Sequence, residues 1–426
     1  MRDKIICAVV EGNLLQKTYD KAKKIFFNCF NGVYRKRLFK KIDSFIANIA
    51  IKSMMKKIEI QKNKILFITT RGSYNCNPKA IADEMIRQKI PCELVWVARQ
   101  ENLYDCEQYP KELKIVSRGS YEFYKEAASS KIWIENAMSL AYLNVYKKAE
   151  QIFIQTWHGS IGLKSFDTNK DKVWLKKARG SGEKTDFCIS NSSFEDDLYK
   201  KTFWKNTTIL AYGHPRNDIL LNGNKEKIDK IQKKVRTALN IPSGVKIALY
   251  APTFRDSKSL APYQLNYGGL RDVLAQRFGG NWIILCRLHF QVRAVLKKKR
   301  INYPEFVIDA TDYEDIQDIL LLTDVGITDY SSWICDYMLT RRPGFLFATD
   351  LRTYYDERGF CVPLESTPFP LAQNNEELFS NIMSFNEKKY QQDCERFLTE
   401  KGCVEDGHAA ERVVEKIKQI LGDETA

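Results

Sequence analysis

The feature that most constrains the fold is a repeated alternation of short apolar runs with helix-like segments, which starts at Lys64. In the first unit, apolar residues 65–68 precede a turn-like sequence at 71–74 and a helical spacing over 78–88. Strands that alternate with helices predict a parallel sheet covered by helices on both faces. The strands of this first series are predicted at residues 65–68, 93–97, 114–116, 131–134, 151–155 and 187–189.

A second series of the same kind follows the charged stretch 222–240, which predicts a linker helix. At 426 residues the chain is long enough for two cores, and the two series predict two Rossmann-like domains facing a cleft. Ligands of such sheets bind at the carboxyl ends of the strands, so the residues directly after each strand are the candidates for chemistry. The strands of the second series are predicted at residues 246–250, 282–285, 306–308, 325–328 and 344–347.

The positive charge of the chain is concentrated at one end. The formal net charge is +14, and residues 1–60 contain 14 Lys and Arg against 5 acidic residues, which gives this segment nine of the fourteen charges. Apolar residues recur over 13–57 at spacings near three and four, which predicts one or two basic amphipathic helices. Two interpretations remain open: a surface that lies on anionic lipid, or a helical arm packed on the body with a solvated basic face.

Cysteine usage and hydropathy restrict the class of protein. The eleven cysteines occur singly and without a C-x-x-C pair, so neither a zinc ribbon nor a disulfide framework is predicted, and a reducing cytosol is expected. The start of the chain lacks the pattern of a signal peptide, and no apolar run approaches the ~20 residues that cross a bilayer. We expect a protein that neither spans a membrane nor leaves by the usual secretory signal.

Two histidines stand directly after predicted strands. His158 follows the strand at 151–155, and an imidazole in this position can take a proton from an attacking hydroxyl. His289 follows the strand at 282–285 and shares a strand end with Arg287, so both side chains could face a diphosphate. The alternative for His158 is a ring satisfied by backbone groups in a turn.

Other polar residues after strands and turns could bind phosphate. Arg216 lies in a Gly- and Pro-containing turn near the domain boundary, where a guanidinium can pair with phosphate oxygens. Ser331 and Ser332 follow the strand at 325–328 and predict a helix N-terminus, which favours anions. Asp336, one turn later, is expected to face the same ligand. A capped helix without a ligand is the alternative.

Several common nucleotide sites are not predicted. The chain has no G-x-x-x-x-G-K-[ST] loop and no G-x-G-x-x-G after its first strand, which argues against an ordinary P-loop NTPase or a dehydrogenase. It also lacks a His, Cys and carboxylate cluster at the spacing of metal ligands, so no metal is expected.

Together, these motifs resemble the CDP-glycerol glycerophosphotransferases of teichoic acid and capsule assembly. The likeness covers roughly residues 62 to 420, and its specificity comes from seven elements in the same order. These elements are Thr156-Trp157-His158-Gly159, Gly213-His214-Pro215-Arg216-Asn217-Asp218, Tyr250-Ala251-Pro252-Thr253-Phe254-Arg255, Arg287-Leu288-His289, Thr328-Asp329-Tyr330-Ser331-Ser332 with Asp336, Asp356-Glu357-Arg358-Gly359-Phe360, and Asp406-Gly407-His408-Ala409 with Arg412.

The resemblance implies an α/β, GT-B-like architecture and transfer of an alditol phosphate from a CDP-activated donor, with release of CMP and no cofactor. The implied partners are a CDP-alditol, an anionic polymer or lipid-linked acceptor and the inner-membrane surface, but not nucleic acid. The implied location is peripheral, on the cytoplasmic face of the cell membrane. The implied domains are a membrane-associating segment 1–60, an acceptor-side domain 61–220, a linker helix 221–243, a CDP-donor domain 244–404 and a C-terminal helix 405–426.

The resemblance also implies roles for individual residues. His158 would be the general base for the acceptor hydroxyl, and His289 with Arg287 would stabilise the diphosphate and the leaving CMP. The implied CDP-donor site consists of Trp157, Gly159, Ser160, Ile161, Arg216, Pro252, Thr253, Arg287, Leu288, His289, Ser331, Ser332 and Asp336.

Two other functions remain open from the sequence. A GT-B glycosyltransferase that uses a nucleotide sugar would have a similar cleft and a similar anion site. A non-catalytic protein could instead bind anionic lipid or nucleic acid through its basic N-terminal arm. Neither the alditol nor the choice between priming and extending a polymer is fixed by a motif.

Overall fold

The structure is a computed structural model, and it describes residues 47–99, 108–161, 163–165, 172–255, 261–289 and 302–422. Its two parallel sheets confirm the predicted α/β, GT-B-like class. Most of the predicted segment 1–60 lies outside the described residues.

The first sheet has seven parallel strands in the order β3-β2-β1-β4-β5-β6-β7. The six predicted strands are confirmed. The edge strand β7 was not predicted, and its four residues are only half-buried or exposed. The strands are β1 (Gln61–Ile68), β2 (Glu93–Ala98), β3 (Leu113–Ser117), β4 (Ser130–Glu135), β5 (Ile152–Gln155), β6 (Phe187–Ser190) and β7 (Thr208–Ala211).

The second sheet has six parallel strands in the order β10-β9-β8-β11-β12-β13. The five predicted strands are again confirmed, and the two-residue edge strand β13 is too short to give a periodic signal. The strands are β8 (Lys246–Tyr250), β9 (Trp282–Cys286), β10 (Val307–Asp309), β11 (Val325–Thr328), β12 (Gly344–Phe347) and β13 (Leu371–Ala372).

Helices cover both sheets. Several helices begin at an Asn or Ser whose side chain accepts a hydrogen bond from a backbone amide of the first turn. Such a cap pairs an amide that has no partner within the helix. The capping residues include Ser120, Ser192, Asn224 and Asn266. The helices are α1 (residues 47–57), α2 (Cys76–Arg87), α3 (Tyr121–Ser129), α4 (Ser139–Leu143), α5 (Lys172–Gly182), α6 (Ser193–Lys201), α7 (Asp218–Leu221), α8 (Lys225–Ala238), α9 (Tyr267–Phe278), α10 (Ile316–Leu322), α11 (Trp333–Met338), α12 (Leu351–Arg358), α13 (Asn375–Met383), α14 (Glu387–Glu400) and α15 (Ala409–Gly422).

The central strands are buried on both faces, as parallel sheets require. In β2, five of the six residues are buried, and the whole of β9 is buried. Each sheet therefore has its own apolar core.

Helix α1 packs on the first sheet. Its Ile51 and Met55 are buried against Leu66, Val95 and Phe153. For residues 47–57 this agrees with the interpretation of a helical arm on the body. No helix in the described part of the chain is long and apolar enough to cross a bilayer.

The C-terminal helix returns to the first domain. Val413 and Ile417 of α15 pack with Ile65 of β1 and Ile81 of α2. The helix begins where the Asp218 carboxylate accepts hydrogen bonds from the amides of residues 409 and 410, at 3.0 and 2.7 Å. The final segment of the chain therefore joins the two domains.

Candidate functional site

A cavity of about 850 Å³ lies between the two sheets, at their carboxyl ends. From the first domain it is lined by residues after β1 to β5, and from the second mainly by residues after β8 to β11. This is the edge at which parallel sheets bind ligands. Of the residues implied by the resemblance, the cavity brings together Trp157, His158, Gly159, Arg216, Pro252, Thr253, Arg287, His289, Ser331, Ser332 and Asp336.

Three implied residues do not line the cavity. Ser160 is buried, and its hydroxyl accepts a hydrogen bond from the Asn191 amide at 3.0 Å. Ile161 and Leu288 are buried in the apolar core of the second domain. These three side chains point away from the cavity, because neighbours in sequence point in different directions, and their assignment to the donor site stays a prediction.

The loop that carries His158 is held in an unusual conformation by Asn77. Trp157 has φ +48°, a left-handed value that is uncommon for a residue other than glycine. The buried Asn77 side chain donates to the carbonyls of Thr156 and Trp157 at 3.0 and 3.2 Å, and it accepts from the Arg216 amide at 3.1 Å. Asn77 thus fixes this loop and the Arg216 turn together.

A backbone carbonyl sets the tautomer of His158. Its Nδ1 lies 2.6 Å from the carbonyl oxygen of Asn136, at the end of β4. Because a carbonyl only accepts, Nδ1 carries the proton and Nε2 has the lone pair. The Asn136 side chain in turn accepts from the Thr70 amide at 3.1 Å, which positions the carbonyl.

Both cleft histidines are held in the neutral form. Desolvation in the cleft lowers the pKa of His158 to about 4, and the charges of Arg216 and Lys164 act in the same direction. Solvent in the cavity still reaches the ring. Burial also lowers the pKa of His289 to about 4, with further contributions from Lys164 and Arg287. At neutral pH both rings are therefore uncharged, and Nε2 of His158 keeps its lone pair.

Arg216 and Asp336 form a buried ion pair across the domain boundary. The Arg216 Nε and the Asp336 Oδ2 are 2.9 Å apart, and both side chains are about 4% exposed. The Asp336 carboxylate also accepts from Asn217 and Gln317, and Arg216 donates to the Gly159 carbonyl at 2.7 Å. Asp336 borders the cavity, but its hydrogen bonds in the structure are to protein groups.

The hydroxyls after β11 are not used to cap the next helix. Ser332 is the N-cap of α11, yet its side chain accepts no hydrogen bond from a backbone amide of that helix.

The preceding Asp329 carboxylate accepts a hydrogen bond from the Thr253 amide at 2.7 Å and pairs with Arg255 at 2.8 Å. Arg255 also pairs with Asp350 at 2.6 Å, so this cation of the second domain is structural.

The cavity is rich in cations. Its lining contains six Lys or Arg residues and three carboxylates, and two of these carboxylates, Asp315 and Asp336, pair with Lys79 and Arg216. Burial lowers the pKa of Lys164 to about 8 and that of Arg287 to about 10. Such a site favours a polyanion. The lining cations are Arg99, Arg118, Lys164, Arg216, Arg287 and Arg358.

Sequence reasoning missed several of these groups. Asn77 and Asn136 contact the loop that carries His158 but belong to no motif, and Lys164 lies six residues beyond His158. The signal that could have found Asn136, Arg99 and Arg118 is their position directly after β4, β2 and β3. Among the described residues, no group of His, Cys, Asp and Glu is arranged to hold a metal ion.

Comparisons with known proteins agree with this geometry. The chain is 30% identical over 388 residues to a teichoic acid poly(glycerol phosphate) polymerase of Staphylococcus epidermidis, a match that covers 87% of this chain and 52% of the polymerase. It is 29% identical to a teichoic acid glycerol-phosphate transferase of Staphylococcus aureus, over 84% of this chain and 93% of the transferase. The chain thus spans about half the length of the first relative and nearly all of the second.

The solved structure of the wall teichoic acid polymerase TagF has the same fold. It aligns with a TM-score of 0.75 and 26% identity, covering 92% of this chain and 98% of the polymerase chain. The family model described as CDP-Glycerol:Poly(glycerophosphate) glycerophosphotransferase matches residues 50–419. Since this match takes in both sheets and every residue that lines the cleft, the chain belongs to the CDP-glycerol:poly(glycerophosphate) glycerophosphotransferase family.

Proposed function

We propose that this protein transfers glycerol phosphate, or a related alditol phosphate such as ribitol phosphate, from a CDP-activated donor to a hydroxyl of a teichoic-acid-like or capsular polymer or its lipid-linked primer. CMP is the other product. The observation that carries the proposal is the composition of the cavity. The unprotonated Nε2 of His158 lies on one wall, and cations and hydroxyls of the second domain lie on the other. His158 stands on the first wall; Arg287, His289, Ser331 and Ser332 stand on the second.

In the proposed step, the acceptor hydroxyl attacks the β-phosphorus of the donor. The new bond joins the acceptor oxygen to that phosphorus, and the bond from phosphorus to the bridging oxygen breaks, so CMP leaves with that oxygen. The hydroxyl proton passes to Nε2 of His158. Arg287 and His289 offset the charge that develops on the bridging oxygen. Such a transfer requires mainly positioning and charge stabilisation.

The donor itself would make His158 a better base. The charges of Arg216 and Lys164 oppose protonation of the ring. The two phosphates of a bound donor bring negative charge into the same cavity, and a nearby negative charge raises the pKa of an imidazole toward neutrality. Proton transfer is most effective when the pKa of the base lies near the working pH. The basicity of His158 is thus coupled to donor binding.

A donor panel tests the proposed reaction. The purified full chain is incubated with CDP-glycerol, CDP-ribitol or UDP-sugars and a short synthetic phosphodiester acceptor, and the released nucleotide is identified. We expect CMP from a CDP-alditol, only when an acceptor is present. UDP from a UDP-sugar would contradict the proposal and favour the glycosyltransferase alternative.

We also propose that the protein acts as a peripheral protein on the cytoplasmic face of the cell membrane. Residues 1–46 contain 11 Lys and Arg against 4 acidic residues, and each basic residue contributes about 1 kcal/mol near an anionic lipid surface.

Deleting 1–46 should weaken sedimentation with phosphatidylglycerol vesicles at least about tenfold and leave turnover on a soluble acceptor intact. Helix α1 is retained because it packs on the first sheet. Unchanged vesicle binding would refute the membrane role of this segment.

A further inference from the structure

We propose that Arg99 and Arg118 form a subsite for a phosphodiester of the acceptor, behind the hydroxyl that attacks. This inference rests on the proposed function, and it makes the two arginines determinants of which acceptor is used. An acceptor that already carries alditol phosphate would fill the subsite, whereas an acceptor without phosphate would not. The protein would accordingly favour extension of a polymer over its priming.

The two arginines lie on the same wall of the cavity as His158. Arg118 follows β3 and Arg99 follows β2, and both line the cavity. The strand order β3-β2-β1-β4-β5 makes this wall continuous up to the strand that precedes His158. Neighbouring strands are about 4.8 Å apart, so the end of β2 is about 14 Å from the end of β5. A chain that lies along this edge with its hydroxyl at His158 would carry a phosphate one or two units back to the arginines.

The backbone at this position is fixed by close packing. Gly72 has φ +74°, and a Cβ there would lie 2.6 Å from the Arg99 amide nitrogen, so the turn after β1 can approach β2 only with glycine. The Gly72 carbonyl accepts from Trp96 at 3.2 Å and from Tyr109 at 2.9 Å. The Arg118 amide donates to the Ala98 carbonyl at 2.7 Å. Packing therefore holds the backbone of both arginines at this edge, and the Arg118 guanidinium donates to the Thr70 carbonyl at 3.4 Å.

The charges around Arg99 and Arg118 favour the binding of an anion. Burial, followed by the nearby positive charge of Arg99, lowers the pKa of Arg118. Glu135 is the carboxyl group that acts on Arg118, but its own burial raises its pKa to about 8, so it is mostly protonated at neutral pH. Glu135 instead accepts an amide hydrogen bond from Leu140 at 3.0 Å. It offers the pair little negative charge.

The donor would not occupy these residues. Its diphosphate is assigned above to Arg287, His289 and the hydroxyls after β11, all of which belong to the second domain. Arg99 and Arg118 belong to the first domain, on the wall of the general base. A guanidinium binds phosphate oxygens through two parallel hydrogen bonds, and a phosphodiester offers two such oxygens.

The test compares two acceptors that differ only in charge. One is a short soluble oligo(alditol phosphate), and the other is its methyl phosphotriester analogue, which has the same length and hydroxyl but no charge. The full chain is assayed by CMP release with Arg99→Gln, Arg118→Gln and the double variant. Arg271→Gln is the matched control, because Arg271 is an exposed arginine of α9 outside the cavity that pairs with Asp272.

We expect each single variant to raise the KM for the charged acceptor about tenfold, and the double variant to raise it further. The KM for the CDP-alditol and the KM for the neutral analogue should change less than about twofold, as should all values for Arg271→Gln. Equal increases for both acceptors, or an increase in the donor KM alone, would overturn the subsite. Absence of CMP with the wild-type chain and every acceptor would instead overturn the proposed function.

Discussion

Replacing His158 by alanine is expected to lower kcat at least about 100-fold, the usual scale for the loss of a general base. Donor affinity should change little, because the cations assigned to the diphosphate remain. His158 is suited to this role because the Asn136 carbonyl fixes the proton on Nδ1 and leaves Nε2 basic. The measurement is the initial rate of CMP release at saturating donor and acceptor, together with calorimetric titration of the donor.

His408→Ala is the matched control for this experiment. His408 is an exposed histidine near the start of α15, where it lies 3.0 Å from Glu411 and does not line the cavity. Its removal should leave kcat unchanged. If His158→Ala retained more than about a tenth of the wild-type kcat, His158 would not be the general base.

Replacing Asp336 by alanine is expected to destabilise the protein by about 3–5 kcal/mol. The substitution leaves the Arg216 guanidinium buried without its charge partner, and it also removes the acceptor for Asn217 and Gln317. Removing one partner of a buried ion pair lowers the free energy of unfolding by far more than the intact pair contributes to it, because the other charge stays buried without compensation. The measurement is the urea dependence of the cooperative unfolding transition.

An exposed pair supplies the comparison. Arg271 and Asp272 are 2.7 Å apart, but their side chains are 41% and 67% exposed. Asp272→Ala should therefore change the free energy of unfolding by less than about 1 kcal/mol. A similarly small change for Asp336→Ala would mean that the Arg216–Asp336 pair does not tie the two domains together.

The strands and the location of the cleft were predictable because they depend on local patterns. An apolar run such as 65–68 or 282–285 is long enough to mark a buried strand, and the carboxyl-end rule then selects residues such as His158 and Ser331. The edge strand at Thr208–Ala211 was missed although it contains a short apolar run, and its residues are only half-buried or exposed.

The direction and partner of each side chain could not be predicted in the same way. Ile161 lies three residues from His158 but packs in the core of the second domain. Asp336 meets Arg216 across 120 residues of sequence, and Asn77 reaches the His158 loop from α2. The contacts of Ile161 and Asp336 arise when the two domains pack together, and that of Asn77 arises when a helix packs on the sheet within the first domain. A single sequence contains no periodic signal for either kind of contact.

The most direct measurement of the central claim is a crystal structure of the His158→Ala variant with CDP-glycerol. The account predicts the diphosphate in the 850 Å³ cavity, within hydrogen-bond distance of Arg287, His289 or the hydroxyls of Ser331 and Ser332. The β-phosphorus should face the space that the imidazole vacates. A donor bound elsewhere, or with its glycerol phosphate turned away from position 158, would contradict it.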